Sequence, residues 1–267
     1  MSKALDELRG CWAVVTGATS GIGLSFADAI AKSGLNLVIV GRCEDKLVNV
    51  AKKLKGEHGV AVEWVMIDLA EDGADQYLYT EIQRLDIRVA LLVNNAGAGF
   101  WGGFEKSEKG VYRRMITLNT YMPMALALVF SDHLAQKPSG IIINVSSAAV
   151  LQPVPYMAVY AASKSALHQF GLALHEEWYL RGVRVQTLVA GPTDTDFDVK
   201  AGFPSDKLPS ARISPQVLVE CSLSALDDRK ALVYGPRVGV GQRLFGALAP
   251  ISLVLKVVGR MFRPSGS

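Results

Sequence analysis

Seven short apolar runs alternate with helix-period segments along most of the chain, and this alternation restricts the fold more than any other feature. The runs fall at residues 12–15, 37–40, 60–67, 89–93, 141–145, 183–189 and 231–234. Between the first two, Ile22, Phe26, Ala29 and Ile30 recur at helical spacing; residues 45–54, 74–85, 111–135, 157–180 and 215–226 read as further helices. The strand runs are continuously apolar rather than alternating, which suits strands buried on both faces. Such strands joined by helices form a parallel sheet with right-handed crossovers. The expectation is a single-domain α/β fold, a Rossmann-type doubly wound parallel sheet with helices on both faces. Ligands of such sheets bind outside the carboxyl ends of the strands.

The 267 residues fit one α/β domain, and no composition break marks a second. A domain over residues 1–240 is expected to carry both cofactor and catalytic sites, followed by a tail over 241–267. The net charge of +3 is unevenly placed. From residue 229 onward there are seven basic residues and no acidic one, leaving 21 basic and 25 acidic residues in the rest. No stretch reaches the roughly 18 to 20 apolar residues of a membrane span; the longest, residues 244–255, contains Pro250. Residues 1–10 lack the apolar core of a signal peptide. Cys11, Cys43 and Cys221 are isolated from one another, as in a reducing compartment, so a cytoplasmic location is expected. His58, His133, His168 and His175 are scattered, and no metal site is expected.

Thr16-Gly17-Ala18-Thr19-Ser20-Gly21-Ile22-Gly23 joins the first strand to the first helix. Gly17 permits the tight exit, Gly21 lets backbone approach a pyrophosphate, and Gly23 lets the helix pack close to the sheet. The helix N-terminus then offers free N–H groups and partial positive charge to phosphate. This segment resembles the TGxxxGIG motif of the short-chain dehydrogenase/reductase family, and the resemblance extends over about residues 10–235. It implies a nicotinamide cofactor held by Gly17, Thr19, Ser20, Gly21, Ile22 and Gly23. At the end of the second strand, Gly41-Arg42 has no acid to bind ribose hydroxyls. Arg42 suits a 2′-phosphate, so NADP(H) is expected over NAD(H); Glu44 and Asp45 close behind fit the first turn of a helix. The family resemblance further assigns Asp68, with Leu69, to the adenine end. Asn94-Asn95-Ala96-Gly97 matches the family's NNAG motif: Ala96 and Gly97 let the cofactor lie against backbone, and Asn94 is a cofactor or sheet-stabilising contact. Gly191-Pro192-Thr193-Asp194-Thr195 resembles the PGxxxT motif at the nicotinamide amide, giving Gly191, Pro192, Thr193 and Thr195 the same assignment. Ala190 stands where that motif has proline.

Tyr160-Ala161-Ala162-Ser163-Lys164 sets a phenol and an ammonium at i and i+4, on one helix face. A fixed positive charge nearby favours phenolate, so a tyrosine pKa lowered from about 10 toward neutrality is expected. Ser147 lies 13 residues upstream, the spacing of the family's catalytic serine; its neighbour Ser146 is off by one. Asn119 sits in mid-helix, where asparagine is unfavourable, at the position of the family's fourth catalytic residue. The resemblance thus implies Asn119, Ser147, Tyr160 and Lys164 as the catalytic set of an oxidoreductase that interconverts a carbonyl and a secondary alcohol. Tyr160 and Lys164 also contact the cofactor. The competing reading is a dinucleotide-binding sensor or scaffold without catalysis; loss of any one of the four would have favoured it.

Three apolar regions are expected to select substrate: Phe100, Trp101 and Phe104; residues 150–157; and residues 196–213, expected to move as a lid. They favour a hydrophobic ketoacyl, steroid-like or aromatic carbonyl. The small residues Ala158, Ala161, Ala162, Ala166 and Ala173 suit pairing of this helix across a two-fold axis, so a homodimer or homotetramer is expected. The basic amphipathic tail from Gln242 has three readings beyond plain docking on the domain: contact with an anionic membrane, a cover for the substrate pocket, or a subunit interface. Nucleic-acid binding has no motif behind it.

Overall fold

The computed structural model describes residues 2–138, 140–204 and 212–264. Seven strands form one parallel sheet: β1 (Trp12–Thr16), β2 (Asn36–Gly41), β3 (Val62–Met66), β4 (Val89–Asn94), β5 (Ile141–Ser147), β6 (Arg184–Ala190) and β7 (Leu232–Tyr234). Their order is β3-β2-β1-β4-β5-β6-β7, and every pairing is parallel. Strand order reverses between β1 and β4, which opens a crevice at their carboxyl ends. The apolar runs are continuous because alternate residues serve opposite faces. Ala13 and Val15 of β1 join Leu91 and Val93 of β4 in one core, while Val14 joins Leu92 in the other. The first core is closed by the short α1 (Lys3–Asp6), α2 (Gly21–Lys32), α3 (Glu44–His58) and α10 (Pro215–Ser224), through Leu5, Phe26, Ile30, Leu47, Leu54 and Leu218. The second is closed by α4 (Ala74–Arg84), with Leu78 and Ile82, and by the segments over 109–135 and 158–177. Each such side chain removed from water contributes about 2 kcal/mol. Glu44 and Asp45 are exposed in the first turn of α3, complementing its dipole, and Gly59 ends that helix in the left-handed region.

Residues 111–135, expected as one helix, are four segments. They are α5 (Lys109–Ile116), a π-helical turn (Thr117–Tyr121), α6 (Met122–Val129) and α7 (Ser131–Ala135). A π turn inserts an extra residue without breaking the helix and rotates the side chains beyond it to a new face. Here it turns Asn119, fully buried, toward the neighbouring helix α8 (Ala158–Glu177). Hydrophobic periodicity is too coarse to reveal a one-residue insertion.

Past β6 lies α9 (Phe197–Lys200); residues 205–211 of the expected lid fall outside the described residues. The tail forms α11 (Val240–Leu248) and α12 (Ile251–Phe262). Val254 and Val258 are buried in a third apolar cluster with Met115, Val154, Met157 and Tyr160, and Phe245 and Phe262 pack against its edge. Gly246 passes so close to the Leu151 carbonyl that no side chain fits between. Among the described residues no helix is long and apolar enough to cross a membrane.

Candidate active site

The crevice between β1 and β4 is closed by backbone. Gly17 (φ 65°) and Gly21 (φ 55°) both adopt the left-handed region that favours glycine. A Cβ on Gly23 would collide with the Gly17 carbonyl oxygen and the Asn95 amide. A Cβ on Gly21 would come within 2.9 Å of Thr195 Cγ2, so the loop after β6 reaches the glycine turn after β1. Ser20 places no side-chain cap on the amides that open α2. This cradle fits the pyrophosphate of a dinucleotide: free N–H groups at a helix start, with side chains excluded from the approach. Thr16 and Asn95 lock it. Thr16 Oγ1 donates to the Val93 carbonyl (3.1 Å) and accepts from the amides of Asn95 (2.9 Å) and Ala96 (3.0 Å). Asn95 Nδ2 donates to the Thr16 carbonyl at 2.8 Å. Sequence reasoning assigned neither residue, although both lie inside the glycine and NNAG motifs.

The other assigned cofactor positions divide into two groups. Arg42 is exposed at the end of β2 and faces Asp68 at 3.8 Å. Asp68 also pairs with Arg114 of α5. Burial pulls the Asp68 carboxyl upward, but the Ala70 amide, Arg114 and Arg42 together hold it below the usual range. Arg114 sits 46 residues from Asp68 and carried no sequence signal. Thr19 stands beside Gly41, and Ser20 is exposed. By contrast, Leu69 and Ile22 send their side chains into the cores, leaving only backbone for a ligand. Asn94 donates to Asn144 Oδ1 on β5 at 2.9 Å and is buried, so of its two expected roles the geometry places it in the sheet.

Beyond β6, Thr193 Oγ1 donates to the Gly191 carbonyl (2.9 Å), and Thr195 Oγ1 accepts from the Phe197 amide (3.3 Å). The Ile213 amide donates to the Pro192 carbonyl at 3.1 Å. Arg212 straps this loop: it donates to the carbonyls of Thr193 (2.7 Å) and Thr195 (3.1 Å) and to Asp198 (2.8 Å). Nothing in the sequence pointed to Arg212 or Asp198, whose partners are 14 to 19 residues apart.

Asn119, Ser147, Tyr160 and Lys164 converge at the carboxyl edge of β4 and β5. Tyr160 and Lys164 share the inner face of α8, and both are buried. Ser147 Oγ accepts from the Ala149 amide at 3.2 Å, and its hydroxyl favours the ionised form of the Tyr160 phenol. Ser146 points elsewhere and donates to the Lys164 carbonyl at 3.2 Å. Lys164 Nζ donates to the Val145 carbonyl at 2.9 Å. Asn119 accepts from the Ala98 amide (2.9 Å) and donates to the Ala98 carbonyl (2.8 Å) and Ser163 Oγ (2.9 Å). Gly97 is the gap where the two polar groups meet: a Cβ there would lie 3.1 Å from Asn119 Oδ1 and 3.4 Å from Lys164 Nζ.

The electrostatics correct one expectation. The Tyr160 phenol is not lowered toward neutrality in the chain alone. Burial pushes it up to about 12, against the Ser147 hydrogen bond, and the Asp198 carboxylate adds to the rise. Burial also pulls the Lys164 ammonium down to about 8. Desolvation of both partners outweighs the attraction that helical spacing alone suggests. The Phe197 ring lies 5.3 Å from that of Tyr160, whose apolar cluster also holds Val154 and Met157, with Phe100 and Trp101 packed against it. Trp101 Nε1 donates to the Phe262 carbonyl (2.9 Å), and Phe203 packs between Trp101 and Phe262. Away from this site, the fold brings Asp28, Glu57 and His58 within 4.8 Å of one another, a grouping the scattered histidines did not disclose.

A family model described as short chain dehydrogenase matches residues 11–202. The chain belongs to the short-chain dehydrogenase family. It is 32% identical over 188 residues to the very-long-chain 3-oxoacyl-CoA reductase of Rattus norvegicus, an alignment covering 67% of this chain and 58% of that protein. The chain therefore spans little more than half the length of that relative. Two solved structures match nearly end to end. A short-chain dehydrogenase from Sphingobium yanoikuyae in complex with NADPH has a TM-score of 0.81 at 30% identity, covering 96% of this chain and 97% of that one. A bulky-bulky ketone specific alcohol dehydrogenase from Comamonas testosteroni has a TM-score of 0.77 at 27% identity, covering 96% of each.

Proposed function

We propose that this chain is an NADP(H)-dependent oxidoreductase that interconverts a hydrophobic carbonyl and its secondary alcohol, with Tyr160 as the acid/base. The observation that carries the reading is the buried Tyr160 phenol, with the Ser147 hydroxyl acting on it and Lys164 one helical turn away, beside the glycine cradle. The cradle would hold the pyrophosphate, Arg42 the 2′-phosphate, and Lys164 the nicotinamide ribose. When bound, the reduced cofactor supplies the hydride. Arg42 at the end of β2, with no acid in its place, supports NADP(H), as does the NADPH in the Sphingobium structure.

Ser147 Oγ and the Tyr160 hydroxyl orient the substrate carbonyl by donating to its oxygen. Ser147 Oγ is held by the Ala149 amide and the Tyr160 ring is buried, so both hydroxyls stand in place to stabilise the developing alkoxide. Tyr160 then gives its proton to that oxygen. A phenol held at about 12 carries the proton throughout the neutral range, as an acid in the reductive direction requires. Lys164 returns the proton, and Asn119, anchored by three hydrogen bonds, orders the path behind it. The apolar side chains around the phenol support a ketoacyl, steroid-like or aromatic ketone.

Exposed Tyr121 and Leu128, with Ala158 and Ala162 of α8, support a homodimer or homotetramer across these helices. Three free cysteines support a reducing, cytoplasmic location.

The test is a carbonyl and alcohol panel with NADPH and NADH, read at 340 nm, on the native chain and Tyr160→Phe. The variant is expected to keep NADPH affinity and lose at least ~100-fold in turnover, the low end for removing an acid/base. Near-normal turnover of Tyr160→Phe would refute the assignment.

A further inference from the structure

Helices α11 and α12 carry more apolar surface than their packing uses. The ridge Val254–Val258 of α12 is buried against the cluster around Tyr160, at 0% and 4% exposure. A second row, Leu253, Val257 and Met261, follows i, i+4, i+8 spacing and stays exposed. On α11, Val240, Leu244 and Leu248 repeat the same spacing and are also exposed. Residues spaced this way share one face of a helix. Two exposed apolar rows on adjoining helices are unusual for a monomer's surface and mark a contact with something else.

Charge identifies that partner. Lys256 and Arg260 form the row adjoining Leu253–Val257–Met261, and both are exposed. No acidic residue occurs from position 229 to the end of the chain. Arg243 is engaged over the Tyr234 ring, at 4.3 Å from its centroid, and lies outside this row. A two-fold pairing of this face with a second copy would set Lys256 and Arg260 near their own equivalents with no acid on the segment to offset them. An anionic lipid surface meets both requirements: headgroups for the basic row, and an apolar boundary for the exposed leucines, valines and methionine.

We propose that the outer face of α11 and α12 docks this protein on an anionic membrane surface. The same helices wall the apolar cluster around Tyr160, through Val254, Val258 and Phe262. Docking therefore brings the substrate side of the molecule to the lipid interface, where a hydrophobic carbonyl partitions. The docking itself does not depend on the reductase reading, and it is measured without turnover.

The test is flotation of the 267-residue chain with phosphatidylcholine vesicles and with vesicles of phosphatidylcholine and phosphatidylglycerol. Binding is expected on the anionic vesicles only, and it weakens as salt is raised. Lys256→Gln with Arg260→Gln is expected to lower the partition coefficient by about 25-fold, at roughly fivefold per basic residue. Leu244→Ser with Leu248→Ser should also release the protein, with an unchanged far-ultraviolet spectrum. The charge pair is exposed, so its variant keeps the test valid even where the leucine variant unfolds. Failure to float with anionic vesicles would overturn the proposal, as would equal binding of the Lys256/Arg260 variant. Light scattering that shows an oligomer dissociated by these substitutions, without vesicle binding, would also overturn it and assign the face to a second copy.

Discussion

At the scale of single residues, the site is a set of polar groups held at some cost to the fold. Lys164 shows this most directly. Its ammonium is buried at 4% exposure, and burial takes it from 10.5 to about 8. Below pH 8 the folded and unfolded chains both hold the proton, so the burial penalty is fully present, at about 3 kcal/mol. Between pH 8 and 10.5 the unfolded chain binds more protons, and stability rises with pH. Lys164→Met removes the charge and also the hydrogen bond to the Val145 carbonyl, which offsets about 1 kcal/mol. The variant is thus expected to be inactive yet more stable by about 2 kcal/mol at pH 7, an advantage that disappears by pH 10.5. Urea denaturation at the two pH values measures this; a variant less stable than the native chain at pH 7 would contradict it. The i, i+4 spacing of Tyr160 and Lys164 was legible in the sequence. The direction of the phenol's shift was not, because it depends on how much water the surrounding aromatic side chains exclude.

At the scale of elements, the positions of the motifs were legible because each lies where an apolar run ends and a helix begins. The close approaches at those junctions require glycine, and they are more specific than the motif suggests. Gly23 is the tightest: its missing side chain makes room for the Gly17 carbonyl and the Asn95 amide, which ties β1 to the loop after β4. Gly23→Ala is expected to cost about 3 kcal/mol through overpacking at backbone that cannot retreat. It should also weaken NADPH binding, read by fluorescence titration, more than it lowers turnover at saturating cofactor. An alanine variant with native melting temperature and native affinity would show that the crossover tolerates a side chain. The π turn over Thr117–Tyr121 illustrates the opposite case. Asparagine in mid-helix flagged Asn119, yet the turn that aims it inward comes from packing against Ala98 and Ser163. Arg212 and Arg114 were likewise invisible: an ion pair across 14 or 46 residues leaves no periodicity.

At the scale of the whole molecule, the sheet fixes the cofactor cradle, and the chain beyond β7 completes the opposite wall. The cradle is built from β1, β4 and the glycine and NNAG turns that follow them, with Arg42 and Asp68 at the ends of β2 and β3; the third apolar cluster, where α11 and α12 pack, contains no residue of β1, of β4 or of those turns. The proposed substrate side depends on the tail: Val254 and Val258 are buried there, Phe262 packs on Phe203, and its carbonyl accepts from Trp101. Deleting residues 240–267 is therefore expected to separate two properties. NADPH affinity should persist, because the cradle and both cores are intact. Stability should fall by at least ~3 kcal/mol, from the lost burial of two valines and the exposed edge of the cluster. The KM for a hydrophobic ketone should rise by at least ~10-fold, about what losing a few apolar contacts costs a pocket. Calorimetry, cofactor titration and steady-state kinetics on one truncated chain measure all three. An unchanged KM would mean that the tail packs beside the pocket without forming its wall. Loss of NADPH binding would mean that the tail holds the two halves of the sheet together, and the division of labour argued from the clusters would fail.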